Sequence, residues 1–317
     1  MRVEEINMWK YNYQVPEKKR VRLLVYTDCA NEADDQYALA HALMTPKVDV
    51  VGIIAAHFET AAEYKNIEFG TTASVSMAEI HKVLKLMGLK KEDYKLAMGA
   101  GVPLTDPAQP ADSEAVQMII DEAMREDDRP LYIGCQGSIT DLASAILKKP
   151  EICERMTAIW IGGGDYPKGG FEFNLMQDVH AANVLFGSKM PVWQVPMSVY
   201  KTFAVSLAEL QLKVAPCGEI GKYLFENMVA LNDALGEVTH WPHGELWGLG
   251  DQGVIASLMQ EQERTDNYHM IPAPQIDTKD MHYILDTDNR EIRVFDYLDV
   301  RLTLEDFFAK LAINYGK

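Results

Sequence analysis

Val25-Tyr-Thr-Asp-Cys-Ala-Asn-Glu-Ala-Asp-Asp35 decides how this chain is read. An apolar run from Val21 to Tyr26 leads into Asp28. A helical pattern (Tyr37, Ala38, Leu39, Ala42, Leu43) opens after Asp34 and Asp35. The order is strand, loop, helix, with four carboxylates (Asp28, Glu32, Asp34, Asp35) inside eight residues. In an open α/β sheet, ligands sit outside the carboxyl ends of the strands. Like charges this close repel unless neutralised, and a divalent cation held through oxygens neutralises them best. The competing reading is a solvated loop and an acidic helix start, where Asp is favoured for capping and for the helix dipole. Asp28 at the strand's end favours a site.

Outward from this stretch, strands and helices alternate. Val48 to Ala56 is nearly all apolar, as a strand buried on both faces should be. His57, Phe58 and Glu59 follow at its carboxyl end, which makes His57 and Glu59 candidates for substrate contact. Residues 61–88 read as one long helical segment. Ser113 reads as the N-cap of a helix over 114–126. Leu131 to Ala143 is strand, tight turn and helix, and Thr157 to Ile161 is a further strand that runs into three glycines. Helices are expected near 178–187, 203–213, 217–235, 251–263 and 303–313. Strands are expected near 191–195, 268–272, 281–285 and 291–298, with a hairpin turn over 286–290. The pattern predicts an open, mostly parallel, doubly wound α/β sheet flanked by helices. One domain over 1–317 is expected, with 1–20 as an N-terminal extension.

Three later segments carry chemistry. Gly134-Cys-Gln-Gly-Ser-Ile-Thr-Asp-Leu-Ala143 runs from a strand end into a helix. Read alone, it is a strand-to-helix turn capped by Ser138. Ile161-Gly-Gly-Gly-Asp165 is followed by Phe171-Glu-Phe-Asn-Leu-Met-Gln-Asp178 and Ala181-Ala182. Asp178 reads as the cap of the next helix. Trp247-Gly-Leu-Gly-Asp251-Gln-Gly-Val-Ile-Ala256 opens a late helix with one more carboxylate.

Together the four segments resemble the nucleoside hydrolases, of the inosine-uridine preferring type, over roughly residues 21–310. The family's first loop is usually shorter and contains Pro-Gly, so the Asn-Glu-x-Asp-Asp version looks like a divergent branch. The resemblance implies a nucleoside hydrolase-like fold and calcium-dependent hydrolysis of the N-glycosidic bond of a ribonucleoside or related N-riboside. It implies a Ca²⁺ site from Asp28, Asp35, Asp251 and the Gln136 carbonyl, with Asp28 as general base. Asn31, Asp34, Glu172 and Asn174 are then expected on the sugar. The family's Asn for the sugar 5′ end is replaced by Tyr166. The His usually beside the last Asp, credited with protonating the leaving base, is Gly250 here. His240 and His243 are the candidate replacements, with Trp241 and Trp247 stacking on the base or packing in a lid. A homodimer or homotetramer is the expected assembly.

Composition narrows the alternatives. Lys+Arg 30 against Asp+Glu 47 gives a net charge of −17, which argues against a nucleic-acid backbone as partner but not against an uncharged nucleoside. No apolar run approaches the ~18 residues of a membrane span, and the N-terminus lacks a signal-peptide pattern, so no membrane partner and a cytoplasmic location are expected. Cys29, Cys135, Cys153 and Cys217 form no CxxC pair and read as small buried thiols. A metal-dependent phosphohydrolase would need a basic phosphate clamp, and the loops after the strands hold few Lys or Arg. A non-catalytic nucleoside or ribose binder is the other alternative, and for it Asp28 would be redundant.

Overall fold

The computed structural model describes residues 9–236, 244–260 and 266–316. Its core is an eight-stranded sheet. Six strands come in the first two thirds of the chain: β1 (Val21–Thr27), β2 (Val48–Ala55), β3 (Leu96–Met98), β4 (Leu131–Gln136), β5 (Thr157–Ile161) and β6 (Val192–Val195). They lie in the order β3-β2-β1-β4-β5-β6, all parallel. Glu291–Phe295 continues the sheet parallel to β6, and Tyr268–Pro272 closes the edge antiparallel. This is the expected doubly wound, mostly parallel α/β architecture.

The helices between the strands are α1 (Asp35–Met44), α2 (Thr72–Leu86), α3 (Glu114–Met124), α4 (Thr140–Lys148), α5 (Phe173–Gln177) and α6 (Val179–Gly187). Successive β1 residues feed opposite layers: Leu23 and Val25 pack in one apolar cluster, Leu24 and Tyr26 in the other. Period-two alternation on a sheet covered on both faces gives this, and it is why Leu23 to Tyr26 reads as an unbroken apolar run after Arg22, which is buried against Glu122. All ten residues of α1 are buried. That helix therefore points its N-terminus, with Asp34 and Asp35, into the molecule rather than at solvent.

Strand order reverses between β1 and β4, whose last residues, Thr27 and Gln136, are register partners. A doubly wound sheet binds its ligands at such a switch point, in the crevice beyond the carboxyl ends. Gly137 packs against Asp28 at this crevice's edge of the sheet: a Cβ there would stand 2.9 Å from the Asp28 Cγ.

Several sequence expectations change. Residues 61–88 are not one helix: a short 3-10 turn at Glu59–Ala61 is followed by a loop, and α2 begins only at Thr72. Asn66 and Gly70 take positive φ (54° and 86°), which breaks the helix. The 286–290 turn does not join a hairpin. Glu291–Phe295 enters the main sheet, where Ile292 and Val294 are buried, while Tyr283–Ile284 pairs with Gln275–Ile276. Residues 204–206 of the supposed 203–213 helix form a strand against Leu246–Gly248. Ser138 does not cap α4: Ile139 precedes the helix and makes no side-chain cap. Ser113 and Asp178 do cap, each accepting a backbone N–H of its following helix. All four cysteines are buried and free. Among the described residues no helix is long and apolar enough to cross a membrane.

His57 does not reach the crevice. It is fully buried, with Nε2 2.7 Å from the Thr140 hydroxyl oxygen. Burial lowers its pKa to about 4 from the ordinary 6.5. An unfolded chain takes up that proton below pH 6.5, whereas the folded one resists it down to about 4. Stability from this residue is therefore present at neutral pH and lost as pH falls through that window. The shift corresponds to about 3 kcal/mol at most. Urea unfolding of wild type and His57→Gln at pH 7 and 4.5, at fixed calcium, checks this. The variant should lose less stability between the two pH values, and equal losses would contradict the assignment.

Candidate active site

The crevice is built from five chain segments. The β1–α1 loop supplies Asp28, Asn31, Glu32, Asp34 and Asp35, and the end of β4 supplies Gln136. Ile161 closes one side at the end of β5, and Glu172, Phe173 and Asn174 line the approach to α5. Tyr200, from the turn after β6, and Gly250-Asp251 complete the wall. Each segment follows a strand's carboxyl end or, for Gly250-Asp251, a 3-10 turn that opens the helix Gly253–Gln260.

At the bottom, Asp34, Asp35 and Asp251 each bring a carboxylate oxygen within 4.8 Å of the others. Asp35 also interacts through its side chain with Asp28, and it accepts a hydrogen bond from the Thr27 hydroxyl. The Asp251 backbone N–H donates to Asp34 Oδ2 at 3.3 Å. The Gln136 side chain donates to the Asp251 carbonyl oxygen at 3.1 Å. Burial first, and mutual repulsion second, raise these acids: Asp35 to about 7, Asp28 and Asp251 well above the usual carboxylate range. Asp34 rises to about 6 through burial, held back by backbone N–H groups, and Glu32 to about 8 through burial and its acidic neighbours.

Two buried oxygens of residues that line this crevice, Asp28 Oδ2 and Asn31 Oδ1, have no hydrogen-bond partner among the described residues. Buried acceptors without donors are costly, and a set of crowded carboxylates is costlier still. A hard divalent cation bound through oxygens answers both at once, so the residues present fit a metal. The cluster differs from the expected set: Asp34, placed on the sugar by the sequence reading, stands with Asp35 and Asp251, and Asp28 adjoins through Asp35.

Glu172 sits beside the cluster, at the N-cap of α5. Its Oε1 accepts from the Asn174 N–H (3.1 Å) and the Tyr200 hydroxyl (2.8 Å). Its Oε2 accepts from the Gly163 and Leu175 N–H groups (2.8 and 2.9 Å). All four acceptor positions of this carboxylate are engaged. Asn174 donates to the Ile161 carbonyl oxygen at 2.9 Å, which fixes the amide and leaves its Oδ1 toward the crevice.

Other candidates fall elsewhere. Glu59, like His57, is outside the lining. It holds the turn before α2 by accepting from the Gly70 and Thr72 N–H groups. Trp247 is buried in the apolar core with its indole on Glu32, which leaves no face for a base. Tyr166 lies on Tyr283, ring centroids 4.7 Å apart, and donates to Gln194 rather than facing the crevice. His240, Trp241 and His243 lie outside the described residues.

The sequence reading missed Tyr200, Phe173 and Ile161. Tyr200 follows the end of β6, the position where ligand contacts concentrate, and that was the one available signal. Its ring takes the space beside Gly250: a Cβ at residue 250 would lie 3.0 Å from Tyr200 Cδ2.

Comparison with known proteins agrees with this architecture. The pyrimidine-specific ribonucleoside hydrolase RihA of Salmonella arizonae is 25% identical over 214 residues, or 60% of this chain. The chain spans 65% of that relative's length, and it matches RihA of Salmonella paratyphi A at 26% over the same extent. In fold it matches the purine-preferring ribonucleoside hydrolase from Gardnerella vaginalis, with TM-score 0.73, 20% identity, and 92% of this chain and 98% of that one covered. An inosine-guanosine nucleoside hydrolase aligns similarly, with TM-score 0.72, 17% identity, and 92% and 98% covered. Residues 23–294 match the family described as inosine-uridine preferring nucleoside hydrolase, and the chain belongs to that family.

Proposed function

We propose that this protein is a calcium-dependent N-ribosyl hydrolase that cleaves the N-glycosidic bond of a ribonucleoside or related N-riboside, giving ribose and free base. The observation that supports it most is the convergence of Asp28, Asp34, Asp35 and Asp251 beneath Glu172 and Asn174. Asp34, Asp35 and Asp251 would hold Ca²⁺, with Asp28 and the Gln136 carbonyl oxygen beside them. The bound ion would supply Lewis acidity toward water and an anchor for sugar hydroxyls.

Asp28 Oδ2 has a free acceptor position and takes the proton from the attacking water. Asn31 and Asn174 face the sugar with free amide oxygens. Glu172 binds a sugar hydroxyl by exchanging its bond from Tyr200, while its three backbone donors hold the carboxylate in place. The oxocarbenium-like centre that forms as the bond breaks is stabilised by the surrounding negative charge. Departure of the base completes the reaction. A cytoplasmic homodimer or homotetramer built from a single domain belongs to the same reading, and light scattering on the purified chain tests the assembly.

The direct experiment is release of ribose from a nucleoside panel, with calcium and with a chelator. Ribose release that requires calcium supports the reading, and phosphate release from phosphate esters would replace it. The Gln136 side chain is expected to be secondary. Gln136→Ala removes one hydrogen bond to the Asp251 carbonyl, worth about 1 kcal/mol, so calcium affinity should fall about tenfold at most. A calcium titration in which this variant fails to bind would show that the amide, not the main-chain carbonyl, is the important group.

A further inference from the structure

Six carboxylates face one crevice: Asp28, Glu32, Asp34, Asp35, Glu172 and Asp251. Among the described lining residues there is no lysine, arginine or histidine. Asp34, Asp35 and Asp251 form the metal cluster, and Glu172 is held by four donors. Glu32 belongs to neither group. Trp247 donates to it, and the Lys65 ammonium lies close by. Burial raises these acids without metal; a bound divalent ion favours their charged forms, and then one lysine and the ion still leave the six carboxylates in excess.

Tyr64 stands on the loop before α2 at the same edge. It is 67% exposed, and the charges acting on its phenol are those of Glu32 and Asp28. The Lys65 ammonium lies over that ring, 5.8 Å from its centroid and beside Glu32, which marks the face as one that takes a cation, and a cationic ring would compete with Lys65 for it. Tyr200, which also feels the Glu32 charge, fills the space beside Gly250 and spends its hydroxyl on Glu172. Burial keeps that phenol protonated, so it is a poor acid.

Departure of the base must work within this field. When a neutral nucleoside is cleaved without a proton donor, the base leaves as an anion among carboxylates. When the base is a quaternised ring, the electron pair of the C1′–N bond neutralises it as it leaves. Resting on the hydrolase reading above, we propose that the preferred substrates are ribosides of a cationic aromatic heterocycle, N-ribosylpyridinium compounds, with Glu32 and Tyr64 facing the ring. The C1′–N bond breaks with its electron pair going to the ring nitrogen, and the water oxygen bonds C1′. One water proton stays on the new ribose hydroxyl, and the other goes to Asp28. The products are ribose, a neutral pyridine and a proton, with no further reactant.

The test compares kcat/KM for nicotinamide riboside, as the cationic probe, with inosine and uridine in saturating calcium. A preference for the cation of about 10²-fold is expected, the effect of one charge pair at about 6 Å in an effective dielectric of about 20. The intrinsic lability of the cationic probe is separated by variants. Glu32→Gln should reduce the ratio of the two kcat/KM values about tenfold or more, and Tyr64→Ala, at an exposed position, should also reduce it. An unchanged ratio in both variants, or inosine or uridine cleaved as well as the cation, would overturn the proposal. So would a selective loss on neutral nucleosides in Glu32→Gln, which would make Glu32 a proton donor to the base. If no riboside is cleaved by protein that still binds calcium, the hydrolase reading itself fails, a result distinct from a changed preference.

Discussion

Asp28→Asn should lower turnover by about 10²–10⁴-fold while leaving sugar binding largely intact. Asparagine keeps the shape and one oxygen of the side chain, so the metal cluster loses little. It cannot take a proton from water. The structure singles out this oxygen because Asp28 Oδ2 is buried and unpartnered, whereas Asp35 is tied to Thr27 and the Glu172 oxygens are fully engaged. Asp28 is also fixed from behind by the main chain at Gly137, and its carbonyl oxygen accepts from the Ala30 and Asn31 N–H groups at 2.6 and 2.7 Å. Burial among acids raises its pKa, and a bound cation offsets this by favouring the charged form. Single-turnover rates and calorimetric binding of a ribose analogue measure the two effects separately. Near-normal turnover would assign the proton to another group.

Asp35→Asn is expected to make the protein more stable without metal and less stable with it. In the metal-free state, three or more carboxylates share a buried space, and burial drives Asp35 to about 7. Removing one charge relieves that repulsion while asparagine can still accept from Thr27. With calcium the order reverses. A ligand that binds only the folded state at about 1,000 times its Kd adds about 4 kcal/mol. A variant that has lost a charged ligand forgoes most of that gain. Thermal unfolding in chelator and in millimolar calcium shows the crossover. A wild-type Tm indifferent to calcium, or a variant that keeps the whole shift, would remove Asp35 from the metal site. The all-oxygen donor set also predicts that Ca²⁺ stabilises more than Zn²⁺, which favours nitrogen and sulfur.

The sequence alone determined the sheet and the address of the site. Val21–Thr27 reads as a strand buried on both faces because Leu23 to Tyr26 is apolar without a break and Arg22 is its one charge, and it forms over those residues. Asp28, Asp34 and Asp35 are close in the chain, so any strand-loop-helix geometry keeps them close in space. Glu172 and Asn174 lie at a helix start two residues apart, again a local relation. These features follow from neighbours along the backbone, and a contiguous stretch carries them.

Tertiary structure decided what depends on partners far along the chain. Asp251 meets Asp34 across 217 residues, and only that meeting shows that Asp34 stands in the acidic cluster with Asp35 and Asp251. Tyr200 enters the wall from the end of β6 because that strand lies two places from β4 in the sheet, an order invisible in a linear reading. His57 and Glu59 follow a strand's carboxyl end and yet turn away, one to Thr140 and one to the turn before α2. Trp247 packs into the core rather than over a base for the same reason. A residue's place at a strand end is written locally. The direction its side chain takes is settled by which distant donors, acceptors and apolar surfaces compete for it once the sheet has closed.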